Sequence, residues 1–152
     1  MPHSPRWFDG KLWVLNSGTG HLGTVDVTSA AFTAYAFCPG FLRGLAFHNG
    51  HAVVGLSLPR DGSFSGLALE AELKRRDAEP WCGVQVINLG SGDIVEWIRL
   101  EGGVTELFDV AVIPASADRR LRAFLMRKSI SSSPSTLRNV EKRPVGGTAR
   151  VR

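Results

Sequence analysis

Long hydrophobic runs are missing from this sequence: no stretch approaches the ~20 apolar residues that a membrane-spanning helix needs. The first residues lack a basic segment followed by an apolar one, so no secretory signal is visible. Cysteine is nearly absent. Cys38 and Cys82 are far apart and in no CxxC arrangement. The first reading is two buried, reduced thiols in a cytoplasmic protein, with a single disulfide as the alternative. Acidic residues all but vanish after residue 118. Residues 1–118 carry 8 Lys and Arg against 13 Asp and Glu, a net of −5. Residues 119–152 carry 10 Lys and Arg against Glu141 alone, a net of +9. The overall charge of +4 therefore belongs to a basic tail, and the remainder lacks the spread of cations that a phosphate-binding face requires. The composition excludes a nucleic-acid partner for the folded part and a membrane span.

What is present is turn chemistry that repeats. Asp9-Gly10 and Asn49-Gly50 each separate two apolar runs, and such pairs favour hairpins because both central residues need positive φ. Laying "PRWFDGKLWV" over "LAFHNGHAVV" makes the two turns coincide, forty residues apart. Laying "VDVTSAAFTAYAF" over "INLGSGDIVEWIR" pairs Val25 with Ile87, Phe32 with Ile94 and Tyr35 with Trp97. Further on, "FLRGLAF" falls on "ELFDVAV". Each unit reads as four short strands, and that period is the mark of a β-propeller blade. The alternative is an ordinary antiparallel sandwich with similar hairpins.

The expected fold is all-β: a partial β-propeller over residues 1–118, with about two four-stranded blades plus one strand of a third. The blades span 4–38 and 43–100, and the inner strand of the third spans 106–113. Residues 58–83, "LPRDGSFSGLALEAELKRRDAEPWCG", interrupt the second blade with a loop and a short helix that Asp77 to Pro80 should end. This insertion is either a functional loop or a cover for one blade edge. Residues 119–152 form the basic tail, which has no helical or strand periodicity after Met126 and is expected to be disordered or aberrant. Two blades do not close a ring, because propellers typically use 4–8. The chain should therefore meet missing blades of a longer parent, or self-associate through exposed strand edges.

The blocks "PHSPRW", "CPGFLRGLAF", "SGDIV" and "DVAV" resemble an uncharacterised bacterial family of conserved hypothetical proteins, often described as tetratricopeptide-linked. The resemblance covers residues 1 to about 115. It implies a β-propeller in chains about twice as long or longer, with this one matching the C-terminal part and Met1 an internal methionine. It implies no activity.

Overlaying the inner strands puts His3, Arg43 and Phe108 in one column and Ser4, Gly44 and Asp109 in the next. His3, Ser4, Arg43 and Asp109 are candidate ligands for an anionic or polyhydroxylated small molecule, with Arg43 as a fork for carboxylate or phosphate. Arg43 and Asp109 alternatively pair across neighbouring blades. Asn16, Ser17, Ser57 and Arg60 end second strands, where they cap turns or line a mouth. "NSGTGHLG" and "NLGSGD" lack the following helix that a phosphate loop needs. His21, His48 and His51 have no carboxylate cluster to complete a metal site, and no GxSxG elbow accompanies Ser4. Trp7, Trp13, Trp81, Trp97 and Tyr35 fit core and blade-packing positions rather than base-stacking platforms. No catalytic residue, metal or cofactor is assigned. The function read from the sequence is a non-catalytic ligand-, peptide- or protein-binding module, and the alternative is a sugar- or lactone-type hydrolase or lyase.

Overall fold

The computed structural model describes residues 1–60, 62–114 and 121–125. Among the described residues, ten strands and one helix form two four-stranded antiparallel meanders and a two-stranded ribbon. The first sheet is β1 (Pro2–Phe8), β2 (Lys11–Asn16), β3 (His21–Val25) and β4 (Phe32–Phe37), hydrogen-bonded in chain order. The second is β5 (Phe41–His48), β6 (His51–Ser57), β7 (Cys82–Asn88) and β8 (Ile94–Leu100), again in chain order, with α1 (Ala68–Arg75) between β6 and β7. The ribbon pairs β9 (Val110–Pro114) with β10 (Leu121–Leu125). All three are open sheets.

The turns act as their residues dictate. Asp9 and Gly10 sit at φ 48 and 69, and Asn49 and Gly50 at φ 45 and 72. These are the left-handed pairs that close a two-residue hairpin. The turn between the third and fourth strands of each sheet repeats as well. Asp26 Oδ1 accepts the Thr28 and Ser29 amides at 3.0 and 2.7 Å, and Asn88 Oδ1 accepts those of Gly90 and Ser91 at 2.7 and 3.3 Å.

The sheets pack face to face. Trp13, Leu15, Leu22 and Ala36 of the first close on Leu45, Ala52, Val54, Leu56 and Ile87 of the second. Phe8 stacks on Phe47, with centroids 4.4 Å apart and planes within 7°. On its other face the second sheet buries Val53, Cys82 and Val84 against Leu107 and Val110. Trp13 is the buried tryptophan. Trp7, Trp97 and Tyr35 are 65%, 47% and 39% exposed, so of the aromatics expected at core and blade-packing positions these three do not lie in the core.

Ser17 and Ser57 do not cap their own turns. Ser17 Oγ donates to the Leu42 carbonyl at 2.6 Å. Ser57 Oγ donates to the Leu107 carbonyl at 3.2 Å and accepts the Leu107 amide at 2.9 Å. Each is a buried staple from the second strand of one unit to the segment that begins the next. Ser17→Ala should cost about 1–2 kcal/mol, read as a lower urea midpoint with an unchanged m-value. A cost near zero would mean that the staple contributes nothing.

The third unit's strand starts later than the sequence reading has it, while the helix stops where Asp77 to Pro80 were expected to end it. The strand expected at 106–113 is found at Val110–Pro114, because Leu107 gives its backbone polar groups to Ser57 instead of a ladder. Helix α1 ends before Pro80. Asp77 adopts φ 48, and the Ala78 amide reaches back to the Leu73 carbonyl at 3.0 Å. That is a Schellman stop with aspartate in the place glycine usually takes. Strand β10 lies in the segment read as tail; the disorder expected beyond residue 127 lies outside the described residues.

The insertion is a strap that ties the two sheets together. Leu69 and Leu73 are buried with Phe64 against Phe37 and Phe41. The Leu69 amide donates to the Gly18 carbonyl at 2.8 Å. Arg76 covers the Phe37 ring at 4.3 Å. A segment inserted in the second sheet thus holds the first.

Candidate ligand cleft

The start of β5, the end of β6 and the strap enclose a cleft of about 260 Å3. Phe41, Phe64 and Leu67 give it an apolar wall, and Arg43, Arg60, Ser63, Ser65 and Glu106 give it polar groups. Arg43 is positioned by aromatic rings. Its guanidinium carbon lies 5.4 Å from the Phe41 centroid and 5.3 Å from that of Phe108. Flanking a cation with two ring faces holds its fork without neutralising it.

Asp109 does not supply the partner that the sequence suggested for Arg43. Its carboxylate meets Arg6 at 3.6 Å and accepts the Val110 amide at 2.9 Å. Arg60 is engaged by Glu106 in a two-pronged pair, Nε to Oε1 at 2.7 Å and a terminal nitrogen to Oε2 at 3.0 Å. This exposed pair ties the strap to the segment that leads into β9, a contact worth about 1 kcal/mol at most.

The remaining candidates divide. His3 packs edge-on against Phe41, with centroids 5.5 Å apart, and so stands beside the cleft. Ser4 Oγ accepts the Gly44 amide at 3.0 Å, a link between β1 and β5. Asn16 Oδ1 accepts from the Met1 amine at 3.4 Å, and Met1 lines the cleft. Sequence reasoning missed Phe41, Phe64, Ser63, Ser65 and Glu106. The sequence offers the insertion as a place for function, but only folding shows which of its residues turn inward.

Over residues 1–120 the chain matches a family described as Domain of unknown function (DUF4915). The chain belongs to the DUF4915 family. No curated protein matches it. The DUF4915 match takes in both sheets, the strap, the cleft and β9, and it stops just short of β10.

The chemistry available in this DUF4915 chain is limited by burial. Both cysteines are free and buried. Burial pushes the Cys38 thiol up to about 12. It also pushes Cys82 up to about 11, with Glu106 adding to the rise. Neither offers a thiolate near neutral pH. Among the described residues, no three His, Cys, Asp or Glu side chains gather as a metal site. No helix among them is long and apolar enough to cross a membrane.

Two histidines respond to pH in one direction. Burial lowers the pKa of His3 below 6.5, and Arg43 and the amino terminus push the same way. Burial also lowers that of His21; Glu72 opposes it and Arg76 adds to it. The unfolded chain therefore binds protons at higher pH than the fold does. The resulting stabilisation is complete above 6.5 and is lost as pH falls below it. The drop in Tm between about pH 8 and pH 5 should narrow in a His3→Gln, His21→Gln double variant. An undiminished drop would place the acid sensitivity elsewhere.

Proposed function

We propose that this DUF4915 chain is a non-catalytic binding module built from β-propeller repeats, and that its cleft receives a small anionic molecule through Arg43. The observation that carries the reading is the Arg43 guanidinium, flanked by the Phe41 and Phe108 rings at the wall of a cleft that sets the apolar Phe41, Phe64 and Leu67 beside the hydroxyls of Ser63 and Ser65. A planar cation in apolar surroundings suits a carboxylate or phosphate, which it meets with two parallel hydrogen bonds. Binding is favoured over reaction by the state of the neighbouring polar groups. The Ser57 hydroxyl already donates and accepts with Leu107, and Glu106 is occupied by Arg60. The propeller reading is supported by the repeated turns and staples, and a ring of such sheets would need repeats beyond the two described.

Citrate and inorganic phosphate are suitable probes. A ligand at about 100 times its Kd stabilises by about 2.7 kcal/mol, so either anion should raise the Tm of the wild-type chain. Arg43→Ala should abolish that rise while remaining folded, and Arg60→Ala should retain part of it. A Tm that both anions leave unchanged, or a rise of equal size in Arg43→Ala, would remove the anion site.

A further inference from the structure

An apolar row crosses each sheet, and among the described residues only one of the two rows is covered over its inner strands. In the second sheet the register aligns Phe47, Ala52, Ile87 and Ile94 across the four strands. Ala52 and Ile87 are fully buried against the first sheet, and Phe47 stacks on Phe8. In the first sheet the equivalent row is Trp7, Leu12, Val25 and Phe32. It lies on the face turned away from the second sheet: Trp7 is 65% exposed, and Leu12 and Val25 are half-buried where Ala52 and Ile87 are fully buried, while the fourth-strand positions are open in both rows, Phe32 at 36% and Ile94 at 43%. The far end of the stack has the opposite opening. Ile113 of β9, at the position Phe8 holds in β1, is 54% exposed. Its neighbour Val112, at the position of Phe47, already packs on the second sheet.

The two open ends are thus the two halves of one interface that the molecule already builds once, between Phe8 and Phe47. We propose that this chain associates with a second copy of itself head to tail, the Trp7–Leu12–Val25–Phe32 face of one copy closing on the Ile113 end of the next. The occupant is argued from continuity. The row that the described residues of one copy leave open is met, in another, by the position that covers its counterpart. Such a contact is heterologous, so it propagates unless its rotation closes a ring. It is independent of the anion proposed for the cleft.

Sedimentation equilibrium over a range of concentrations tests this on the full chain. Wild-type mass should rise with concentration. Trp7→Glu and Ile113→Glu should each weaken self-association at least about tenfold, a loss of about 1.4 kcal/mol. Both residues are exposed, so both variants should keep the wild-type circular dichroism; Phe32→Lys is a second variant on the Trp7 face. The decisive sample is an equimolar mixture of Trp7→Glu and Ile113→Glu. Each variant retains the end that the other lost, so the mixture should form a dimer and stop there. A monomeric wild type overturns the proposal. So does self-association that survives in Ile113→Glu alone, which means a Trp7-to-Trp7 contact. Association that neither variant weakens also overturns it, because it then runs through strand edges.

Discussion

Gly44→Ala should cost about 3 kcal/mol and lower the Tm by about 10 °C. A Cβ at this position would lie 2.4 Å from the Val110 nitrogen and 2.6 Å from the Asp109 carbonyl carbon. Both are backbone atoms of the segment entering β9, and neither can swing aside as a flexible side chain would. The residue also sits at φ +82, which strains any side chain. Gly50 separates the two effects. It has φ +72 but nothing within 4 Å, so Gly50→Ala should show only the conformational cost, about 1 kcal/mol. The difference between the two, measured by chemical denaturation, reports the close approach of β5 to the next strand. Equal losses would mean that β9 yields freely to the added methyl group.

Trp13→Ala should be the second large loss, about 3–5 kcal/mol, through the cavity it leaves between the sheets. Trp13 is 4% exposed, donates its indole hydrogen to the Phe8 carbonyl at 3.2 Å, and meets Tyr35 edge-on with centroids 5.3 Å apart. Trp97 on β8 is the comparison, because it is 47% exposed and its ring meets that of Trp81 with centroids 6.2 Å apart. Trp97→Ala should cost about 1 kcal/mol, since burial scales with the apolar area removed from water. A similar loss for both would contradict the assignment of the core to the first sheet's inner face.

These two positions differ in how far the sequence exposes them. The aromatic-rich strands around Trp13 mark a β-sheet core, yet period-2 alternation alone does not say which face of an open sheet is covered. Trp7 and Trp13 look alike in the sequence and end on opposite faces of the same sheet, because Trp13 pairs with Arg6, the residue before Trp7, and successive strand residues point to opposite faces. Gly44 is harder still. Its place in a column with Ser4 and Asp109 is legible, but the 2.4 Å approach that makes glycine necessary there belongs to another strand.

The sequence by itself determined the local geometry and its repetition. Asp9-Gly10 and Asn49-Gly50 close hairpins, Asp26 and Asn88 hold the following turns, and "EAELKRR" forms a helix within an insertion. Each of these is set by residues within a few positions of one another, so short-range sterics and hydrogen bonding decide them. Tertiary structure decided the partners. It gave Asp109 to Arg6 rather than Arg43, placed Arg43 over Phe41 and Phe108, turned Ser17 and Ser57 into staples between sheets, and folded the strap over the cleft. Those contacts join residues that only the stacking of one sheet on the next brings together, and the free energy of that stacking comes from burying whole faces rather than from any single pair.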